Sequence, residues 1–343
     1  MAQTIASLRR EITRFYPKRD SDDDISIRVA SVAEYSIEQK KVADELNDSR
    51  YTLSTSLAAL KVATTVIDVI AVNTIQILCF CDPTHPKTEE VYMRHKLIRM
   101  VRRLQCLRTL FASEKAFTIY FVPTFDTRAL PTKSRAEIST DHINGGVTRI
   151  VSNAIYVYRL EESDKVMLHE TLHHMPIHSI QWDATEIERL TGINDLLINE
   201  AVVECWAEVL HVLMVAHELA FNNRVVERML ELEKRWAAEQ VAKLKRHFRG
   251  GEWKERTNSF CYFVIREILL RHVHEFLKMR KGMVTDSAAI NRLVYAELSK
   301  AKETTSIASK AAICNLPQEV IEKMDSNCRH HRHKRSLAFT WFA

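Results

Sequence analysis

Apolar and polar residues follow different rhythms in different parts of the chain, and each rhythm predicts a different kind of element. In 31–46, 56–70 and 89–112 the apolar residues recur at helical spacing, which predicts helices from about residue 25 to 113. Residues 1–24 read as a short amphipathic helix running into the acidic Asp20, Asp22, Asp23 and Asp24. The most apolar stretch, Val62 to Cys81, is interrupted by Asp68, Asn73 and Gln76. A membrane span of ~20 residues rarely tolerates three such groups, so this stretch reads as a buried helix or a helix–strand pair. Pro83 and Pro86 close it. The character changes at Phe117. Residues 117–124 and 153–159 are β-branched and aromatic, and predict strands. Between them Gly145 and Gly146 stand side by side, marking a tight turn or a close backbone approach. From Ser163 the pattern is helical again, with an apolar helix over about 195–220 and a charged one over about 223–247 that Gly250 and Gly251 end.

These patterns divide the chain into a tail or helix at 1–24, a helical region at 25–116, and a core of strands and helices at 117–220. A helical region at 221–327 and a basic tail at 328–343 complete it. No internal repeat is visible. Composition sharpens this picture. Of 343 residues 46% are apolar, enough for a sizeable core and too many for wholesale disorder. Only 6 glycines and 7 prolines argue against all-β folds, dinucleotide crevices and phosphate loops, which need glycine at turns and beside phosphates. The expected class is α+β and mostly helical.

Charge adds little: 49 Lys and Arg against 44 Asp and Glu leave +5, too mild to predict a nucleic-acid surface by itself. The strongest cluster is Cys328 to Arg335, which reads either as a solvated segment or as a nucleic-acid or nuclear-import element. Seven cysteines, at 79, 81, 106, 205, 261, 314 and 328, form no paired framework and predict reduced thiols. Cys79 and Cys81 read as half a metal site or as core residues. No apolar signal region opens the chain, so the expected setting is intracellular, cytoplasmic or nuclear, without a membrane span.

The chemistry concentrates at His169-Glu170-Thr171-Leu172-His173. On a helix, residues four apart share a face, so His169 and His173 can bind one zinc ion through two imidazoles. Glu170 then lies beside the metal, where a carboxylate can accept a proton from a zinc-bound water. Ser163 or Asp164 can cap the helix start, and Pro176 limits its end. A third ligand is needed. Pro176 and Ser179 occupy the places where metzincins carry Gly and His, and Asp183 lacks the aspzincin context. Glu200, in Asn199-Glu200, lies 27 residues beyond His173 in the apolar helix, and Glu204 follows one turn later.

This arrangement resembles the gluzincins, the thermolysin-like and aminopeptidase-like zinc peptidases, over about 117–220. The resemblance implies a zincin-like core with a small sheet beside the HExxH helix and a helical C-terminal part. It implies one catalytic zinc ion held by His169, His173 and Glu200, with Glu204 orienting the first His. Residues 177–191 are then an insertion that lengthens the gap to Glu200. An edge strand at Gly145, Gly146, Val147 and Thr148 would hold an extended substrate. The gluzincin oxyanion donor comes from the C-terminal helices, where Tyr262 is the first candidate, with His272, His274 and His211 behind it; Asn258 would bind substrate backbone. His174 and His178 are neighbours rather than ligands. The runs 142–148 and 166–174 are also similar to metallopeptidase-like proteins of large DNA viruses. The implied activity is hydrolysis of a peptide or protein. Two alternatives stay open: a non-catalytic zinc-stabilised scaffold, and a virion or nucleic-acid-associated protein using its basic tail.

Overall fold

The computed structural model describes residues 4–17, 24–47, 52–71, 74–179, 181–249, 252–281 and 284–303. In chain order these form α1 (Ile5–Phe15), β1 (Ile25–Ser31), α2 (Ser36–Leu46), α3 (Ser56–Val62), β2 (Thr65–Ala71) and β3 (Ile75–Cys81). Then come α4 (Glu90–Leu110), β4 (Phe117–Thr124), the single turn α5 (Thr140–Ile143), β5 (Gly146–Arg149), β6 (Ala154–Arg159) and α6 (Ser163–Leu172). The remainder is α7 (Thr185–Thr191), α8 (Ile198–Glu218), α9 (Asn223–His247), a π-helical turn (Phe260–Ile265), α10 (Arg266–Arg271) and α11 (Val273–Lys278). The short pair β7 (Arg280–Lys281) and β8 (Val284–Thr285) precedes α12 (Ser287–Glu303). The chain is α+β and mostly helical. Among the described residues no helix is long and apolar enough to cross a membrane.

The chain divides into two compact units. One comprises 12–131 and 138–176 and holds a six-stranded sheet in the order β1-β2-β3-β4-β6-β5. β3, β4 and β6 are parallel; β1, β2 and the short β5 pair antiparallel to their neighbours. Val66, Phe80, Tyr120, Val122, Tyr156 and Tyr158 form one core cluster with Tyr35, Val42, Leu46 and Leu60 from the segments around α2 and α3. α4 lies against β2 and β3, and α6 against β5 and β6. The inner strands are buried on both faces, β6 along its whole length. The other unit comprises the described residues of 1–11, 132–137 and 177–342. Its centre is α8, buried from Ala201 to Ala216, with α9, α10 and the π-helical turn packed on it.

The reading of 25–113 as helical is corrected by β1, β2 and β3, half of the main sheet. Val62 to Cys81 holds an antiparallel strand pair rather than a helix or helix–strand pair. The physical reason is burial on both faces: a strand covered on each side loses its alternation and reads as a continuous apolar run. Asp68, which looked like an interruption, sits mid-strand and accepts hydrogen bonds from the Tyr35 hydroxyl at 2.8 Å and the Gln76 amide at 3.0 Å. Cys79 and Cys81 are buried in β3, so the core reading of that pair holds. The acidic residues 20–23, Gly250, Gly251, Cys314, Cys328 and the basic tail lie outside the described residues.

Candidate metal centre

α6 carries His169 and Glu170, with His173 as the cap residue at its C-terminal end, and it is held before any ligand is considered. Its N-terminal turn is not capped by Ser163 or Asp164, which corrects the expected cap. The Ser163 hydroxyl donates to the Leu160 carbonyl at 3.0 Å. Asp164 instead takes an ion pair from Lys96, one from Arg103 at 3.0 Å and a longer one from Arg99 at 3.8 Å, all on α4. Burial alone would raise its pKa, but the three cations outweigh burial and hold the carboxyl far below the ordinary carboxylate range. The helix ends at His173, where turns from His174 to Thr171 and Met175 to Leu172 lead into Pro176. His174 stacks on Phe117 with ring centroids 5.6 Å apart.

The two motif histidines are buried, and their Nε2 atoms lie 3.2 Å apart. Two nitrogens bound to one tetrahedral zinc at ~2.0–2.1 Å stand about 3.3 Å apart, so this spacing fits a shared ion. Glu170 points toward β5. The Thr148 hydroxyl lies 2.7 Å from Glu170 Oε2 and 2.8 Å from the Glu170 carbonyl. Thr148, expected to bind substrate, is therefore a partner of Glu170. Gly146 shows why no side chain precedes it on this face. A Cβ there would sit 2.9 Å from the Tyr156 carbonyl and from Val166 Cγ1, and 3.0 Å from Glu170 Cγ. At Gly145 a Cβ would meet Val166 Cγ2 at 2.9 Å. Of the two readings of this glycine pair, the structure shows close approach of β5 to α6. Val147 turns to the opposite face and packs on the core there. In the sheet order β5 is an edge strand.

Glu200 lies in the first turn of α8, with Glu204 and Glu208 at the next two turns. The Tyr262 hydroxyl donates to Glu200 Oε2 at 3.0 Å. Arg266 Nη1 donates to Glu204 Oε1 at 3.1 Å and to Glu208 Oε2 at 3.3 Å. The Arg266 guanidinium is buried, its carbon 5.2 Å from the Trp236 ring centre and 5.6 Å from that of Phe263. The Asn258 carbonyl accepts the Tyr262 amide at 2.8 Å. His272 pairs with Glu297 at 3.4 Å, His274 is exposed on α11, and His211 is buried on α8. Sequence reasoning missed Arg266 and Glu208. A carboxylate every fourth residue through an apolar helix was the available signal, since such a stripe requires a buried cation opposite it.

Among the described residues, His169, His173 and Glu200 form a group that could hold a metal ion: each offers one ligand atom, and these lie within 4.8 Å of one another. Two imidazoles and one carboxylate are a donor set of the kind that suits zinc and other first-row metal ions. None of the five described cysteines belongs to it; all are free and buried, and burial pushes the Cys106 thiol up to about 12. No family model, curated protein or solved structure matches the chain.

Proposed function

We propose that the chain is a zinc-dependent metallopeptidase of the gluzincin kind, hydrolysing peptide bonds in a peptide or protein substrate. The observation that carries this reading is the convergence of His169, His173 and Glu200, with Glu170 next to His169 on α6 and His173 at the helix end. Zinc held by these three side chains would supply Lewis acidity toward the scissile carbonyl and toward a water molecule. Everything else falls to the chain. Glu170 takes the proton of the attacking water and passes it to the leaving amine. Thr148 holds the Glu170 carboxylate at 2.7 Å, so the base is oriented before substrate arrives. The edge of β5 offers main-chain donors and acceptors to an extended substrate beside Glu170, and Gly145 and Gly146 let that strand lie close against α6. A purely structural zinc site would have no use for Glu170, which supplies no ligand.

The test is cleavage of an unstructured peptide library followed by mass spectrometry. Cleavage should stop when a chelator strips the protein and return with one equivalent of zinc. Cleavage indifferent to chelation, or none at all from zinc-loaded protein, would contradict the proposal.

A further inference from the structure

We propose that Tyr262 is a positioning residue for Glu200, holding that carboxylate ready for metal. This rests on the reading of Glu200 as a ligand. The hydroxyl donates to Glu200 Oε2 at 3.0 Å. A phenol has one proton to give, so while it serves Glu200 it cannot also serve an oxyanion. The choice of partner along α8 is informative. Glu204 and Glu208, one and two turns further on, are served by the cation of Arg266. Glu200 receives a neutral hydroxyl from the same facing segment. An arginine there would compete with a metal ion for the carboxylate, whereas a hydroxyl orients it and leaves its charge intact.

The backbone that carries Tyr262 fits this duty. Phe260–Ile265 is a π-helical turn, a rare conformation that recurs at functional sites. It places Tyr262 and Arg266, four residues apart, against the same stripe of α8. Arg266 is 1% exposed, so a slip in the register of this turn would leave its buried charge unpaired. The ion pairs of Arg266 thereby fix where the Tyr262 hydroxyl falls.

The experiment measures zinc affinity of the full chain by competition with a chromophoric chelator, for wild type, Tyr262→Phe and Tyr262→Leu. Both variants should bind zinc roughly 10–100-fold more weakly, the usual loss when a residue orienting a ligand is removed. Thermal unfolding of metal-free Tyr262→Phe should match wild type, because only one oxygen has gone. Equal affinity in wild type and Tyr262→Phe overturns the positioning role and leaves the peptidase reading standing. Weakening in Tyr262→Leu alone also overturns it, since packing rather than the hydroxyl would then be the cause. A wild type that binds no zinc removes the metal site itself, and this role with it.

Discussion

Glu170→Gln is expected to lower peptide turnover by about 10²- to 10⁴-fold, the usual contribution of a positioned proton-transfer group, while bound metal is retained. The amide has nearly the same shape and still offers an oxygen to the Thr148 hydroxyl, which reaches both Glu170 Oε2 and its carbonyl. What is lost is the ability to take a proton. Because Glu170 is not among the three convergent ligand residues, metal content should not change. Turnover and metal stoichiometry measured on one preparation separate the readings. Lost turnover with metal intact supports the general base. Undiminished turnover would remove Glu170 as the general base, whereas metal-loaded wild type with no turnover at all would make a non-catalytic scaffold the better account.

Asp164→Asn should produce the largest loss of stability, about 3 kcal/mol, since removing one partner of a buried ion cluster leaves its counterions uncompensated. Here the counterions are Lys96 and Arg103, both buried, with Arg99 further out. The sign of the pH dependence follows from the depressed carboxyl of Asp164. A group held below its unfolded pKa of about 3.9 stabilises the fold above that pH and loses the contribution as pH falls. The stability gap between wild type and Asp164→Asn should therefore be full at neutral pH. Below the unfolded pKa it should narrow by about 1.4 kcal/mol per pH unit. Urea unfolding of both proteins at pH 7 and pH 3 checks this. A gap under about 1 kcal/mol at pH 7, or one of equal size at pH 3, would show that the cluster does not anchor α6.

The legible parts of the chain were those whose physics is local. The HExxH motif predicts a helix and two imidazoles on one face because the i, i+4 relation is built into helical geometry; α6 carries His169, and His173 caps its end in helical conformation. The expected charged helix matches α9, Asn223–His247, and β4 at Phe117–Thr124 coincides with its aromatic run. β2 and β3 do not read as strands, because burial on both faces erases their period. Non-local pairs were invisible. Nothing beside Asp164 announces that Lys96, Arg99 and Arg103, more than 60 residues earlier, will surround it; a cap was the natural local reading. Arg266 and Glu204 are 62 residues apart, and only the packing of α10 on α8 joins them. Thr148 was placed beside the substrate by resemblance, yet its contact with Glu170 depends on β5 approaching α6 within reach of a hydroxyl, which the two glycines permit.

If His169, His173 and Glu200 hold one zinc ion, the metal content of the protein will show it. Full-length protein loaded with zinc, dialysed and analysed by inductively coupled plasma mass spectrometry should be compared with His169→Ala/His173→Ala prepared identically. Any metal taken up by the tail histidines His330, His331 and His333 contributes equally to both proteins, so the difference reports the site. Wild type should hold one zinc per chain more than the double variant. Equal zinc in the two proteins would contradict it.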